Sequence, residues 1–190
     1  VERVEAVTAG STLAETPFEL GAPAGALPIL GSRLRVTIPA ASTRVRITYR
    51  TAEKAGALQW LDPPRTAGKT HPFLFTQSQA IHARSWIPVQ DSPGVRVTYG
   101  ATIHTPKGLK AAMSADHLPG NDAEGLYRFE MPQPIPAYLI ALAVGDLAFR
   151  PLGPRTGVYA EPSMVEACAN EFADTEKMVE AAERRYGPYR

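Results

Sequence analysis

The chain has 190 residues, of which 44% are hydrophobic and 21% are charged, and its formal net charge is +1 at pH 7. This is the composition of an ordinary globular protein with enough apolar residues to form a core. The balance of 20 basic against 19 acidic residues, with no basic cluster, argues against nucleic-acid binding. The longest apolar run lies near Tyr138–Val144 and is too short to span a membrane. We therefore expect neither nucleic acid nor a membrane as a partner.

Strand patterns dominate residues 1–150. Arg33–Ile38 and Arg44–Tyr49 alternate with a period of two and are separated by a short Pro-Ala-Ala-Ser segment, which predicts a hairpin. The alternating arginines in these runs indicate a solvent-exposed face. Further strands are predicted at Gly94–Thr105, Leu126–Met131 and Tyr138–Phe149. Prolines that we interpret as joints between strands are Pro63, Pro64, Pro88, Pro93, Pro106, Pro132, Pro134 and Pro136.

From Pro162 onward the pattern predicts one long amphipathic helix. Ser163 precedes Glu166 by three residues, which is the pattern of a capping box, and Gly187-Pro188 predicts the end of the helix. Such a stripe needs a surface against which it is buried, so we expect more protein after this helix. The stripe consists of Val165, Cys168, Phe172, Thr175, Val179, Ala182 and Tyr186.

The sequence contains no familiar catalytic or cofactor motif: no H-E-x-x-H, no G-x-S-x-G, no glycine-rich phosphate loop and no C-x-x-C. Its histidines are widely spaced, and none has a partner at metal-ligand spacing on a helix. Cys168 is the only cysteine and is interpreted as a buried, inert thiol. By themselves, these residues predict no catalytic site. The histidines, which we interpret as structural or surface residues, are His71, His82, His104 and His117.

The stretch from Phe75 to Tyr99 carries the most specific pattern of the chain. Gln77 and Gln79 are two residues apart, and a strand would place both amides on one face, where they could bind the polar groups of a peptide. Arg84 is expected to form a structural ion pair with Asp91, and Asp91-Ser92-Pro93 predicts a turn.

Several segments resemble the zinc (gluzincin) aminopeptidases of the aminopeptidase N type, and among them the leukotriene A(4) hydrolase branch with its bacterial aminopeptidase relatives. The central segment is QSQAIHAR (Gln77–Arg84), followed by Pro88 and Asp91-Ser92-Pro93. The resemblance extends from about Arg33 to the end of the chain. The other matching segments are ALQWLDP (57–63), GKTHPFLFTQ (68–77), IPAYLIALAVGDL (135–147), GPRTGVY (153–159) and RYGPY (185–189).

The resemblance implies a saddle-like N-terminal β domain of antiparallel sheets over residues 1–150, with its first strands missing, and the beginning of a thermolysin-like catalytic domain over residues 151–190. The family's zinc ligands would lie downstream, so the resemblance implies zinc in the parent protein and none in this fragment. The parent would remove N-terminal residues from peptides by zinc-assisted hydrolysis, and the fragment itself would be inactive. A bacterial source is expected from the composition.

The resemblance also implies roles for individual residues. The position of Gln79 reaches into the active site in this family and binds the free α-amino group of the substrate, and many relatives have glutamate there. The position of Gln77 lines the first side-chain pocket and contacts the substrate. Ala80, where some relatives have proline, completes the substrate-binding set, while Arg84, Asp91 and Pro93 belong to the structural motif.

Three hypotheses remain open at this point. The chain is a fragment of a zinc aminopeptidase whose partners are a peptide with a free N-terminus and the missing catalytic domain. Alternatively, it is a free-standing β-rich module that binds peptides or proteins on the same scaffold without catalysis. The third hypothesis is a family member that has lost its zinc ligands. The expected compartment is the cytoplasm, with export to the periplasm as the alternative.

Overall fold

The computed structural model describes residues 1–7, 13–21 and 30–189. Within these ranges the chain consists mainly of antiparallel β-sheets and ends in a bent helix, so the predicted fold class is confirmed. The strands are β1 Arg3–Val7, β2 Leu13–Glu15, β3 Phe18–Gly21, β4 Arg33–Val36, β5 Arg44–Thr48, β6 Leu58–Leu61, β7 Phe73–Thr76, β8 Arg96–His104, β9 Lys110–Met113, β10 Asp116–Asn121, β11 Leu126–Pro136, β12 Leu142–Gly145, β13 Ala148–Pro151 and β14 Gly157–Ala160. The helical segments are α1 Val165–Glu171 and α2 Thr175–Tyr186.

The chain divides into two compact units, each built from segments that are distant in sequence. The first unit comprises Val1–Leu58, Gln77–Arg96 and Pro136–Leu139. The second unit comprises Gln59–Thr76, Val97–Ile135 and Ile140–Arg190.

In the first unit, β1 is the central strand of an antiparallel sheet with the order β2-β1-β5, and β3 pairs with β4. Val4 and Ala6, which are two residues apart on β1, are both fully buried, as expected for one face of a strand. Ala57 and Ala83 are also fully buried. Because their side chains are small, they allow the backbone segments of this unit to approach one another closely.

The second unit contains a four-stranded sheet with the order β6-β7-β12-β9 and a three-stranded sheet with the order β10-β11-β8. Ala111, Tyr127 and Phe129 form its core cluster. Gly145 lies against Phe73, and a Cβ atom at position 145 would come within 2.4 Å of that ring. Glycine therefore permits the close pairing of β12 with β7. The hairpin of β13 and β14 packs against α1.

The predicted hairpin between Arg33–Ile38 and Arg44–Tyr49 is wrong in its pairing. Both runs are strands, but β4 pairs with β3 and β5 pairs with β1. These partners align apolar residues, with Leu20 opposite Leu34 and Val4 opposite Ile47, and such cross-strand pairs stabilise a sheet. The arginines of β4 and β5 are exposed, as predicted.

The predicted strand Tyr138–Phe149 is wrong as a single element. Its first residues form a 3-10 turn at Ala137–Leu139, and the remainder is divided between β12 and β13. The apolar run is continuous in sequence because three short elements are each partly buried. Periodicity alone does not distinguish that arrangement from one buried strand.

Three of the predicted joint prolines instead lie inside a strand. Pro132, Pro134 and Pro136 belong to β11, which was predicted to end at Met131. Proline lacks the backbone N–H that a sheet ladder uses. Alternate residues of a strand direct their N–H groups to the same edge, so the missing donors of all three prolines fall on one edge of β11.

The C-terminal helix is confirmed but is bent between α1 and α2, where residues 172–174 interrupt it. It ends at Tyr186 with Gly187 as its C-cap, as predicted. Of the apolar stripe, Val165 is buried, whereas Phe172 is 53% exposed and Tyr186 is 87% exposed. Cys168 was predicted to be buried but is half-buried.

The capping box predicted at Ser163 and Glu166 is not formed. Met164 is the N-cap residue of α1 and makes no side-chain capping bond. The carbonyl of Glu161 instead accepts the N–H groups of Met164 and Val165 at 2.8 and 3.0 Å, and the Glu166 carboxylate lies 3.8 Å from the Arg150 guanidinium.

No helix in the described part of the chain is long and apolar enough to cross a membrane.

An ion-pair cluster attaches α2 to the loop that precedes β14. The Arg155 guanidinium donates to Glu176 at 2.7 Å and, through two nitrogens, to Glu183 at 2.7 and 3.0 Å. Thr156 adds a hydrogen bond to Glu176 at 2.9 Å. The hydrogen bonds from Arg155 lower the pKa of both carboxyl groups below their ordinary value of 4.5.

We predict that replacing Arg155 with methionine lowers the free energy of unfolding at pH 7. Because both carboxyl pKa values are lowered in the folded protein, the stabilisation from the cluster is present above pH 4.5 and is lost as the pH falls below it. The difference between wild type and Arg155→Met should therefore shrink in acid, measured by urea unfolding at pH 7, 5 and 3.

Arg150→Met is the matched control, because Arg150 approaches Glu166 only to 3.8 Å and both side chains are mostly exposed. It should change stability little at any pH. An Arg155→Met protein with a constant stability deficit from pH 7 to pH 3 would contradict the ion-pair account.

Candidate functional site: a glutamine pair on a hydrogen-bonded loop

Gln77 and Gln79 lie immediately after β7 and not within a strand, because β7 ends at Thr76. The alternation expected of a strand is nevertheless kept, since both glutamines are exposed and Ser78 between them is only 3% exposed. Directly after β7, the Gln77 N–H donates to the carbonyl of Ala57, the residue before β6, at 2.8 Å. Ala80 follows, also exposed, across a cis peptide bond.

The side chain of Gln77 is oriented by its neighbour. The Gln79 backbone N–H donates to Gln77 Oε1 at 3.2 Å. Since an N–H group only donates, the amide oxygen of Gln77 faces the loop and its NH₂ group remains available as a donor. The structure gives the side chain of Gln79 no hydrogen-bond partner among the described residues, so its carbonyl oxygen is open to a ligand.

A closed series of hydrogen bonds holds the backbone below the glutamines. The Gln77 N–H donates to the Ala57 carbonyl, and the Ala57 N–H donates to Ser85 Oγ at 2.9 Å. Ser85 Oγ in turn donates to the His82 carbonyl at 2.7 Å, and the His82 N–H donates to the Ser78 carbonyl at 2.9 Å. The series therefore returns to the residue next to Gln77. We call it the Ser85 circuit.

Trp86 fixes the buried residue between the two glutamines. Its indole Nε1–H donates to Ser78 Oγ at 3.1 Å. A partly buried indole requires a partner for its N–H group, and Ser78 provides it. Neither Ser85 nor Trp86 was singled out from the sequence, because their role depends on a fold that brings Ala57 beside residue 85.

Arg84 and Asp91 form the expected ion pair, which closes the loop from residue 84 to residue 91. Asp91 Oδ2 accepts Arg84 Nε at 3.2 Å and the Arg84 backbone N–H at 3.1 Å. The other two nitrogens of the guanidinium donate to the Asp91 carbonyl at 2.6 Å and to the Leu30 carbonyl at 3.2 Å. The Asp91 side chain is 2% exposed. The Asp91 carboxylate thus holds Arg84. The turn predicted at Asp91-Ser92-Pro93 begins at Ser92, whose carbonyl accepts the Val95 N–H at 3.0 Å.

The histidines do not converge on a site. His82 packs against Gly56, where a Cβ atom would come within 3.3 Å of its Nδ1 atom, and its backbone belongs to the Ser85 circuit. His117 lies 3.3 Å from Asp122. Within the described ranges, no group of three or more His, Cys, Asp or Glu side chains could hold a metal ion.

Comparison with known proteins places this geometry in a family. Residues 31–139 match the peptidase M1 N-terminal domain. The chain is 46% identical over 169 residues to leukotriene A-4 hydrolase of Xenopus laevis, covering 84% of this chain and 28% of the relative. It is 44% identical over 147 residues to aminopeptidase B of Rattus norvegicus, covering 77% of this chain and 22% of the relative.

The structural comparison agrees. The structure of native yeast LTA4 hydrolase superposes with a TM-score of 0.83 at 38% identity, over 100% of this chain and 30% of that chain. This chain therefore spans less than a third of the length of these relatives. The match over residues 31–139, together with these relatives, shows that the chain belongs to the peptidase M1 N-terminal domain family.

Proposed function

We propose that this chain is the substrate-recognition part of a zinc-dependent aminopeptidase that removes N-terminal residues from peptides. The observation that carries the proposal is the pair of exposed amides of Gln77 and Gln79 on a loop whose backbone is fixed by hydrogen bonds. Membership of the peptidase M1 N-terminal domain family supports it. In this proposal the chain binds the end of the peptide, and the chemistry takes place on residues outside it.

The proposed roles of the two glutamines follow from their hydrogen-bonding groups. The carbonyl oxygen of Gln79 accepts a hydrogen bond from the ammonium group of the substrate, which is a charge-assisted bond. The NH₂ group of Gln77 donates to a carbonyl oxygen of the peptide, because its own oxygen is already occupied by the Gln79 N–H. A free ammonium group binds the Gln79 oxygen more strongly than the neutral N–H of a blocked peptide does, so the arrangement favours exopeptidase specificity. Ala80 bounds the same surface.

In this proposal the zinc ion is bound by parts of the protein outside this chain. M1 family metallopeptidases depend on zinc, but the described residues of this chain offer no ligand set for it. Zinc would polarise the scissile carbonyl and activate water. We assign no step of that chemistry to residues of this chain.

The remaining assignments are also proposals. Residues 151–190 would begin the catalytic domain, which would be the principal partner of residues 1–150. Neither nucleic acid nor a membrane is expected as a partner, and the cytoplasm is the proposed compartment. The bacterial source expected from the composition has no support from the relatives named above, which are eukaryotic.

The first test compares this chain with the full-length protein that contains it. We expect the full-length protein to hold one zinc ion and to hydrolyse an alanyl chromogenic amide, and this chain alone to do neither. Zinc is measured by elemental analysis and hydrolysis by absorbance. A full-length protein that is metal-free and inert would contradict the proposal and favour a peptide-binding module without catalysis.

Replacing Gln79 with alanine in the full-length protein should lower kcat/KM for unblocked aminoacyl amides. The lost bond to a charged donor corresponds to roughly 10- to 150-fold. Zinc content should not change, because Gln79 is not proposed as a ligand. Gln79→Glu should retain more activity than Gln79→Ala, since a carboxylate also accepts the ammonium group.

Gln133→Ala is the control for Gln79→Ala, because Gln133 is an exposed glutamine on β11 and should leave kcat/KM unchanged. If Gln79→Ala behaves like Gln133→Ala, the assignment of Gln79 to the substrate amine is wrong.

Glutamate should be tolerated at position 79 but not at position 77. Gln77→Glu retains an oxygen for the Gln79 N–H but replaces the outward donor with a second acceptor. We expect KM for aminoacyl amides to rise by roughly threefold to tenfold, as for the loss of one neutral hydrogen bond, with kcat little changed. Steady-state kinetics of both glutamate variants, measured together, test this asymmetry. Equal tolerance at the two positions would show that Gln77 does not act as a donor.

A further inference from the structure

We propose that Ser85 and Trp86 are positioning residues that set the spacing and direction of the two glutamine side chains. This inference rests on the proposed function of Gln77 and Gln79. It concerns two residues that would not contact the substrate themselves. They would act through the backbone of residues 77–80, which we call the glutamine loop.

The position of Ser85 in the circuit is central because its hydroxyl acts both as acceptor and as donor. It accepts the Ala57 N–H at 2.9 Å and donates to the His82 carbonyl at 2.7 Å. Ala57 is fully buried, so its N–H group would lose its partner if the hydroxyl were removed. The carbonyl of the same Ala57 residue accepts the Gln77 N–H at 2.8 Å. Ser85 therefore fixes the peptide group that in turn fixes Gln77.

Trp86 holds the same loop through a hydrogen bond between two side chains. Its indole N–H holds Ser78 Oγ at 3.1 Å, and Ser78 is buried at 3% exposure. Exposure alternates along these three residues, with Ser78 buried between two exposed glutamines, so anchoring Ser78 inward holds Gln77 and Gln79 outward. The Gln79 N–H can then reach Gln77 Oε1 at 3.2 Å, which orients the Gln77 amide.

The two contacts have different reach along the chain. Ser85 ties the glutamine loop to residue 57, which is 28 positions away, and Trp86 ties residue 78 to the 3-10 turn at Ala83–Ser85. Together they connect the segment that carries the glutamines to residue 57 and to the 3-10 turn. A recognition site needs this kind of support, because a small displacement of its first contacts costs affinity.

The test uses the full-length protein with Ser85→Ala, Trp86→Phe and Gln79→Ala, alone and combined with one another. We expect Ser85→Ala and Trp86→Phe each to raise KM for unblocked aminoacyl amides by roughly threefold to tenfold. Ser85→Thr keeps the hydroxyl and should restore KM to within about twofold of wild type. Trp60→Phe is the control for Trp86→Phe, since Trp60 is 56% exposed on β6 and should leave KM unchanged.

The combined variants separate positioning from a general loss of stability. If Ser85 acts through the glutamines, adding Ser85→Ala to Gln79→Ala should raise KM less than it does in the wild-type background. Thermal unfolding of every variant gives the stability comparison. Trp86→Phe provides the same combination should Ser85→Ala fail to fold.

Each outcome has one meaning. If Gln79→Ala impairs the enzyme while Ser85→Ala and Trp86→Phe leave KM unchanged, the positioning role is wrong and the proposed function stands. Additive effects that follow the loss of thermal stability would also overturn it, because both residues would then be structural only. If Gln79→Ala itself has no effect, the proposed role of Gln79 fails and the positioning role fails with it.

Discussion

The candidate site depends on the ion pair between the half-buried Arg84 and the buried Asp91. The Asp91 side chain is 2% exposed, and its carboxylate accepts hydrogen bonds from the Arg84 side chain and the Arg84 backbone N–H. Removing the Arg84 side chain would leave the buried carboxylate of Asp91 without its cation, which is destabilising. The pair closes the segment that contains Ser85 and Trp86, so the supports of the glutamines are themselves fixed by it. Arginine suits this position better than lysine, since its three nitrogens reach three acceptors in fixed directions.

The site is a hierarchy of increasingly exposed contacts. The least exposed contact is the ion pair of Asp91 with the half-buried Arg84. The Ser85 circuit consists of backbone and hydroxyl hydrogen bonds. The most exposed groups are the two neutral amides of Gln77 and Gln79. Neutral amides at the surface cost little to desolvate compared with carboxylates. In the proposed function, a glutamine at position 79 would give up the charge attraction that a carboxylate offers to the ammonium group. In exchange, a ligand would bind without removing the hydration shell of an anion.

The sequence predicted the parts of this structure that are encoded locally. The alternation of β8 and the end of the helix at Gly187 were recognised from neighbouring residues. The motifs from Gln77 to Pro93 indicated the family together with the other matching segments between residues 57 and 189. The pairing of β4 with β3 and of β5 with β1 was not predicted, because β1 and β3 had not been recognised as strands. The Ser85 circuit was missed for a related reason. Its members are ordinary residues, and only the approach of residues 57 and 85 gives them a common role.

The helix shows the converse limit of local patterns. Ser163 and Glu166 have the spacing of a capping box, yet Met164 is the N-cap residue and the Glu161 carbonyl accepts the first N–H groups. The Glu161 carboxylate also accepts the N–H groups of Ala67 and Gly68 at 2.7 and 2.9 Å. Glu161 thus binds the start of α1 through its carbonyl and the loop at Ala67 and Gly68 through its carboxylate. The backbone carbonyl of Glu161, and not the side chain of Ser163, thus accepts the first N–H groups of the helix.

The three alternating prolines of β11 have a consequence for association between molecules. An exposed strand edge normally offers a row of N–H and C=O groups with which a strand of another chain can pair. At Pro132, Pro134 and Pro136 one edge offers carbonyl acceptors and no donors, so an added strand would find half of its hydrogen bonds missing. The prolines therefore disfavour the addition of a strand from another molecule along that edge of β11.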